Sequence, residues 1–306
     1  MINFAGTYTA LITPFSPNGE GLDLARLTEQ VSRQAASGMT GIVPCGTTGE
    51  TPTLNESEYR TVVRHATDAA QRHGLTVIPG AGSNATSHAI ELHRFCNDVG
   101  AHASLQVTPY YNRPSQEGIY RHFMAIAESC DLPLVLYNIP SRCGRLIEMP
   151  TIQRLARHPN IVAIKDATGD LRQAKETLAS TDLIVLSGDD PLTLPLMTIG
   201  GHGVVSVLSN VLPRRVLGLV AACRDGRWEE AVSLHRSLIA LASTLLECDV
   251  NPVPIKTAMA LLGWDSGAVR LPLCLANSEV IEQVRTQLNA CGLTPAANHT
   301  SLEKTA

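Results

Sequence analysis

The sequence predicts an α/β fold, a closed (β/α)8 barrel followed by a C-terminal helical appendage, and three observations carry that expectation. Eight short apolar runs rich in β-branched residues recur along the chain, helical patterning fills the stretches between them, and no change of composition separates the units. Near-continuous apolarity in such short pieces suits parallel strands buried on both faces. Repeated alternation of strand and helix favours a closed barrel over an open sheet. The competing architecture is a Rossmann-like sheet, yet no GxGxxG follows the first runs. The 306 residues accommodate one barrel of roughly 250 residues with an addition.

The first run, Thr7 to Ile12, precedes Leu24, Leu27 and Val31 on one helical face, with Asp23 as N-cap and Gly38 as the stop. The second run is Gly41 to Pro44. Asn55 followed by Glu58 then forms a capping box for a helix through His73. After Leu75 to Gly80, Asn84 is the expected cap of a helix whose Ala89, Leu92 and Val99 share a face. The remaining runs are Ala103 to Thr108, Pro133 to Tyr137, Ile161 to Lys165, Leu183 to Leu186 and Gly203 to Val207. Beyond Val211 the strand signals stop, and Leu234, Leu238, Leu241 and Leu245 keep helical spacing. The expected division is a barrel over 1–210, a helical region over 211–294 and a polar, aperiodic, flexible tail over 295–306.

A net charge of -4, with 44% hydrophobic and 17% charged residues, lacks the basic excess of a nucleic-acid binder and points to small neutral or acidic partners. Met1 to Phe15 contains no basic leader and no long apolar run, so a cytoplasmic protein without a membrane partner is expected. The eight cysteines form no CxxC pair and read as free thiols. The ten histidines include no HExxH and no Cys/His cluster, so no metal is expected.

Barrel enzymes place their chemistry at the C-terminal ends of the strands. There the chain carries Gly46-Thr47-Thr48-Gly49-Glu50, Pro109-Tyr110-Tyr111-Asn112, Tyr137 to Arg142, Lys165-Asp166 and Ser187 to Asp190. Lys165 closes an apolar strand, and alternation directs it toward the barrel mouth. Desolvation disfavours an ammonium there, and a neutral amine attacks a ketone; a solvated lysine or a pair with Asp166 is the competing reading. Thr47 and Thr48 bring hydroxyls and turn N–H groups that suit a carboxylate, unless the loop is an ordinary Gly/Thr turn. Tyr137 and Tyr111 offer either proton-carrying phenols or aromatic packing. Arg142 is a carboxylate clamp or a surface charge. Asp189-Asp190 before Pro191 reads as a helix cap in preference to a metal site.

Six ordered motifs, GTTGE at 46–50, TPYYNRPSQEG at 108–118, YNIPSR at 137–142, IKDATGD at 164–170, SGDD at 187–190 and NPVPIK at 251–256, closely resemble the dihydrodipicolinate synthase family. The likeness spans most of the chain. It implies a lyase of the class I aldolase type that condenses pyruvate with L-aspartate 4-semialdehyde to 4-hydroxy-tetrahydrodipicolinate, the first committed step of the diaminopimelate route to lysine. By the resemblance, Lys165 forms the pyruvate imine, Tyr137 shuttles protons, and Thr47 and Tyr111 complete the relay, Tyr111 reaching into a neighbouring subunit. Thr48 holds the pyruvate carboxylate, the main chain at Val205 and Gly188 line the pocket, and Arg142 receives the semialdehyde carboxylate. A homotetramer built from two tight dimers is implied, with no organic cofactor and no metal. Asn84 and Tyr110 fit the lysine-feedback pocket of sensitive members, whereas Glu56 and His88 do not, which implies weak or absent inhibition by lysine. Two alternatives stand beside this reading. A sibling aldolase, N-acetylneuraminate lyase or a 2-keto-3-deoxy sugar acid aldolase, is disfavoured by Arg142 and the Tyr110-Tyr111 pair. A non-catalytic pyruvate-binding protein would be expected to have lost Lys165 or Tyr137.

Overall fold

Eight parallel strands hydrogen-bond in the order β3-β2-β1-β8-β7-β6-β5-β4 in the computed structural model, which describes residues 3–294. They are β1 Gly6–Ala10, β2 Gly41–Val43, β3 Thr76–Val77, β4 Ser104–Val107, β5 Leu134–Asn138, β6 Ile161–Asp166, β7 Ile184–Ser187 and β8 Gly203–Ser206, each overlapping one predicted run. The ring closes between β3 and β4: Leu105 N donates to Pro79 O at 2.8 Å and Ala81 N to Leu105 O at 2.9 Å. This closure excludes the open doubly wound sheet. The β3 ladder is short because Pro79 has no N–H to offer, and only an isolated bridge from Gly80 to Leu105 continues it. Where β1 meets β8, Gly6 and Gly203 have φ of 150° and 147°, and a Cβ on Gly203 would lie 1.8 Å from Gly6 O. Only glycine fits that seam.

Strand alternation divides the side chains. Leu105, Val135, Tyr137, Ala163 and Leu186 belong to the inner core, while Leu134, Leu136, Ile164 and Val185 pack outward among helices. The helices are α1 Leu24–Ala36, α2 Glu56–Gln71, α3 Thr86–Asp98, α4 Gln116–Ala127, α5 Pro140–Cys143, α6 Met149–Leu155, α7 Leu171–Ser180 and α8 Thr193–Thr198. Four more follow the last strand: α9 Pro213–Arg224, α10 Trp228–Glu247, α11 Val253–Leu261 and α12 Ser278–Ala290. Helix α9 packs on β1 and β8, while Leu238, Leu241 and Leu245 turn the apolar stripe of α10 into the core that the barrel interior shares. Each such fully buried leucine stabilises the fold by about 1.5–3 kcal/mol. Every residue of α11 is buried. Among the described residues no helix is long and apolar enough to cross a membrane. The tail over 295–306 lies outside the described residues.

The caps test the local reading. Asp23 accepts from Arg26 N, and Asn55 with Glu58 forms the reciprocal capping box. Asn84 does not cap α3. Ala85 occupies the N-cap with no side-chain bond, and Asn84 instead offers its carbonyl to Asn112 Nδ2 at 2.9 Å. The Asp189-Asp190 cap is also corrected: α8 starts later, with Leu192 as its N-cap, and the buried Asp190 carboxylate accepts from Val207 N at 2.8 Å and Leu208 N at 3.0 Å. Burial raises the pKa of Asp190, and those two N–H groups pull it back. Its side-chain oxygen fixes the turn after β8. All eight cysteines are free.

Candidate active site

Parallel register places Lys165 of β6 beside Tyr137 of β5 and Leu186 of β7. Alternation points both Lys165 and Tyr137 inward, with 6% and 5% exposure, and the Lys165 ammonium lies 4.1 Å from the centre of the Tyr137 ring. Asp166 points to the opposite face and turns its carboxylate to Thr168, accepting from its N at 2.9 Å and its Oγ1 at 2.7 Å. The ion pair between neighbours is thereby excluded. Burial raises the Asp166 pKa while the two Thr168 bonds lower it.

Gly188, at the end of β7, faces the same amine. A Cβ there would sit 2.9 Å from Lys165 Cε and 2.8 Å from Ala167 Cβ. The missing side chain is the space in which the lysine lies. Val205, on β8, is buried at 2% exposure in the inner core.

Above the strands opens a cavity of about 460 Å³, lined in part by Thr47, Tyr110, Tyr137, Arg142 and His88. Its volume falls within the range of small-molecule pockets. The loop after β2 is a pair of tight turns, Gly49 N to Gly46 O at 3.1 Å and Glu50 N to Thr47 O at 3.1 Å, which present Thr47 to the cavity. Thr48 is buried, and its Oγ1 accepts from Asn251 Nδ2 at 3.1 Å. Arg142, at the rim, is exposed and unpaired among the described residues. Glu56 turns away to Arg60 Nε at 3.0 Å, whereas His88 lines the cavity beside Glu91. A wider groove outside the barrel, where Arg60 and Arg64 stack on Phe95, is open surface.

Tyr111 is not brought into the site. It is 90% exposed and holds a left-handed φ of 69°. Lys165, Tyr137 and Gly188 thus meet at the ends of β5, β6 and β7, and Thr47, Tyr137 and Arg142 line one cavity, while Tyr111 is exposed outside its lining.

The sequence reading gives no role to Asn251 or Lys256, although both sit in the NPVPIK motif. Lys256 Nζ binds Glu50 Oε1 at 2.6 Å with both side chains shut off from solvent. Burial lowers the Lys256 pKa, and Glu50 counteracts it. One signal was available: a lysine within the otherwise apolar stretch of α11 requires a buried partner. No group of three or more His, Cys, Asp or Glu side chains among the described residues is arranged to hold a metal ion.

Residues 3–291 match the profile of the dihydrodipicolinate synthetase family. The 4-hydroxy-tetrahydrodipicolinate synthase of Syntrophotalea carbinolica is 43% identical over 295 residues, 96% of this chain and 100% of that protein. The crystal structure of dihydrodipicolinate synthase from Aquifex aeolicus superposes with a TM-score of 0.93 at 39% identity, covering 96% of this chain and 100% of the other. The chloride-inhibited dihydrodipicolinate synthase from Acinetobacter baumannii, solved with pyruvate, superposes with a TM-score of 0.92 at 38% identity, covering 95% and 100%.

Proposed function

The chain belongs to the dihydrodipicolinate synthetase family, and from that premise we propose that it condenses pyruvate with L-aspartate 4-semialdehyde through an imine on Lys165. The observation that carries the reading is the inward Lys165, buried beside Tyr137 and given room by Gly188. The Lys165 amine attacks the keto carbon of pyruvate, a proton passes to the oxygen, and water leaves as the C=N bond forms. Loss of a methyl proton gives the enamine, whose carbon attacks the aldehyde. The amine of the bound semialdehyde then displaces Lys165 and closes the ring.

Tyr137 is the phenol nearest the amine and serves as proton carrier, with Thr47 passing protons at the mouth. Thr48 and the main chain at Val205 hold the pyruvate carboxylate, and Arg142, free at the rim, takes the semialdehyde carboxylate as a two-pronged donor. The chemistry requires neither an organic cofactor nor a metal, and a cytoplasmic location is part of the proposal. Tyr111 serves the site of a second copy, within a tetramer made of two tight dimers.

Product identification tests the assignment. Incubation with pyruvate and a panel of aldehydes should yield a new product, identified by mass, with L-aspartate 4-semialdehyde alone; a product only with sugar aldehydes would transfer the chain to the sibling aldolases. Arg142→Ala should lower kcat/KM for the semialdehyde by about a hundredfold, one charge-assisted clamp, and leave pyruvate capture intact.

A further inference from the structure

The loop after β2 is tied to the C-terminal helices through three connections that converge on five residues. Glu50 Oε1 binds Lys256 Nζ of α11 at 2.6 Å. Glu50 Oε2 accepts from Arg270 N at 3.1 Å, so both carboxylate oxygens are occupied. Asn251, at the start of the same NPVPIK segment, donates to Thr48 Oγ1. Lys256 and the Arg270 guanidinium also lie 4.1 and 4.3 Å from the centre of the Phe15 ring.

Two further facts bear on what the pair is for. Glu50 holds a left-handed φ of 53°, a conformation that an isolated glutamate disfavours and that the surroundings must enforce. A fully buried ion pair is also weak as a stabiliser, since apolar replacements of similar volume commonly do as well or better. A pair kept in this place is better suited to fixing a geometry than to adding stability.

We infer that Glu50 and Lys256 are positioning residues for pyruvate: the pair anchors the C-terminal end of the Thr47-Thr48 turn against α11 and so sets where the two hydroxyls stand relative to Lys165. The inference rests on the pyruvate reading above. Neither side chain touches substrate. Their effect passes through the short Thr48-Gly49-Glu50 link, in which Gly49 O also accepts from Thr13 Oγ1 at 2.7 Å. The appended helices therefore do more than bury apolar surface, because the carboxylate-binding turn takes its position from them.

The test separates positioning from stability. Four proteins are compared: the unaltered chain, Glu50→Asp, Lys256→Met and the double variant Glu50→Gln/Lys256→Met. For each, the thermal midpoint is measured, together with the pyruvate concentration giving half-maximal borohydride trapping on Lys165. Lys256→Met leaves the Glu50 carboxylate, and the buried Asp265 near it, without their cation and should lower the midpoint most, whereas the double variant, which also removes the Glu50 charge, should recover part of it. Half-saturation by pyruvate should nevertheless stay about tenfold or more above the unaltered value in the double variant, the loss expected for one misplaced hydrogen bond to a carboxylate. Glu50→Asp keeps the charge and the fold but is one methylene short, so it should show the same rise; this variant carries the test if Lys256→Met does not fold. Trapping at saturating pyruvate should remain complete. Unaltered half-saturation in Glu50→Asp and the double variant would overturn the inference, as would loss of trapping at saturation. Absence of trapping in the unaltered chain would instead overturn the pyruvate reading itself.

Discussion

At the residue scale, the account depends on how little room surrounds one amine. Lys165 is confined by the Tyr137 ring on one side and by the bare backbone of Gly188 on the other. Gly188→Ala would force its methyl to 2.8 Å from Ala167 Cβ and 2.9 Å from Lys165 Cε, closer than carbon atoms approach. Overpacking of this kind costs about 1–3 kcal/mol. The strain can be relieved only by moving the lysine or the end of β6. The expected outcome is a protein that folds, with a slightly lower thermal midpoint, and that forms the pyruvate imine at least about tenfold more slowly. An alanine variant with unchanged trapping kinetics would show that the amine does not occupy this niche. Lys165 and Tyr137 were legible in the sequence because strand alternation is a two-residue rule that needs no tertiary information. The Glu50–Lys256 pair was not, since its members stand 206 positions apart and meet only once the chain is folded.

At the scale of elements, the strands announced themselves and the connections did not. Apolar runs buried on both faces leave a strong signature, which is why all eight strands overlap their predicted positions. The cap expected at Asn84 failed for a reason outside its own segment: the carbonyl of Asn84 is engaged by Asn112 of the loop after β4, and the helix begins one residue later. Asp190 departed from its expected cap because two N–H groups after β8 reach its carboxylate. That loop after β4 also holds Tyr111 and Arg113 at φ of 69° and 49°, left-handed conformations that cost on the order of 1–3 kcal/mol each. It is braced by Arg113 Nε to Gly144 O at 3.3 Å and Arg145 Nε to Arg113 O at 3.1 Å. A strained, braced loop that presents a 90% exposed tyrosine outward is suited to delivering that phenol to another copy of the chain. Tyr111→Phe removes the hydroxyl and little packing, so turnover should fall by about tenfold or more while half-saturation of trapping by pyruvate stays within about twofold. Full turnover in this variant would remove Tyr111 from the proton relay.

For the whole molecule, the buried histidines make stability depend on pH. His93 sits between α3 and β4 with Nδ1 2.7 Å from Ser104 Oγ, and His122 on α4 has Nδ1 2.9 Å from Thr86 Oγ1. Burial lowers both from an ordinary value of 6.5 to about 4, with Arg94 adding to the effect at His93. Between those values the unfolded chain binds the protons and the folded chain does not, so stability is complete above pH 6.5 and is lost as pH falls toward 4. Thermal midpoints of His93→Gln/His122→Gln should decline less steeply across this window than those of the unaltered protein. Parallel curves would show that the two imidazoles do not carry the dependence. The same scale explains why the closed barrel was predictable in outline, through length and strand count, while the core it shares with the appended helices and the tie from the β2 loop to α11 needed coordinates.

The central claim is covalent, and its most direct measurement is mass spectrometry of the protein after borohydride reduction in the presence of pyruvate. The account predicts one added carboxyethyl group, located on the peptide containing Lys165 and absent from Lys165→Ala. No adduct, or an adduct on another lysine with Lys165 unmodified, would contradict it.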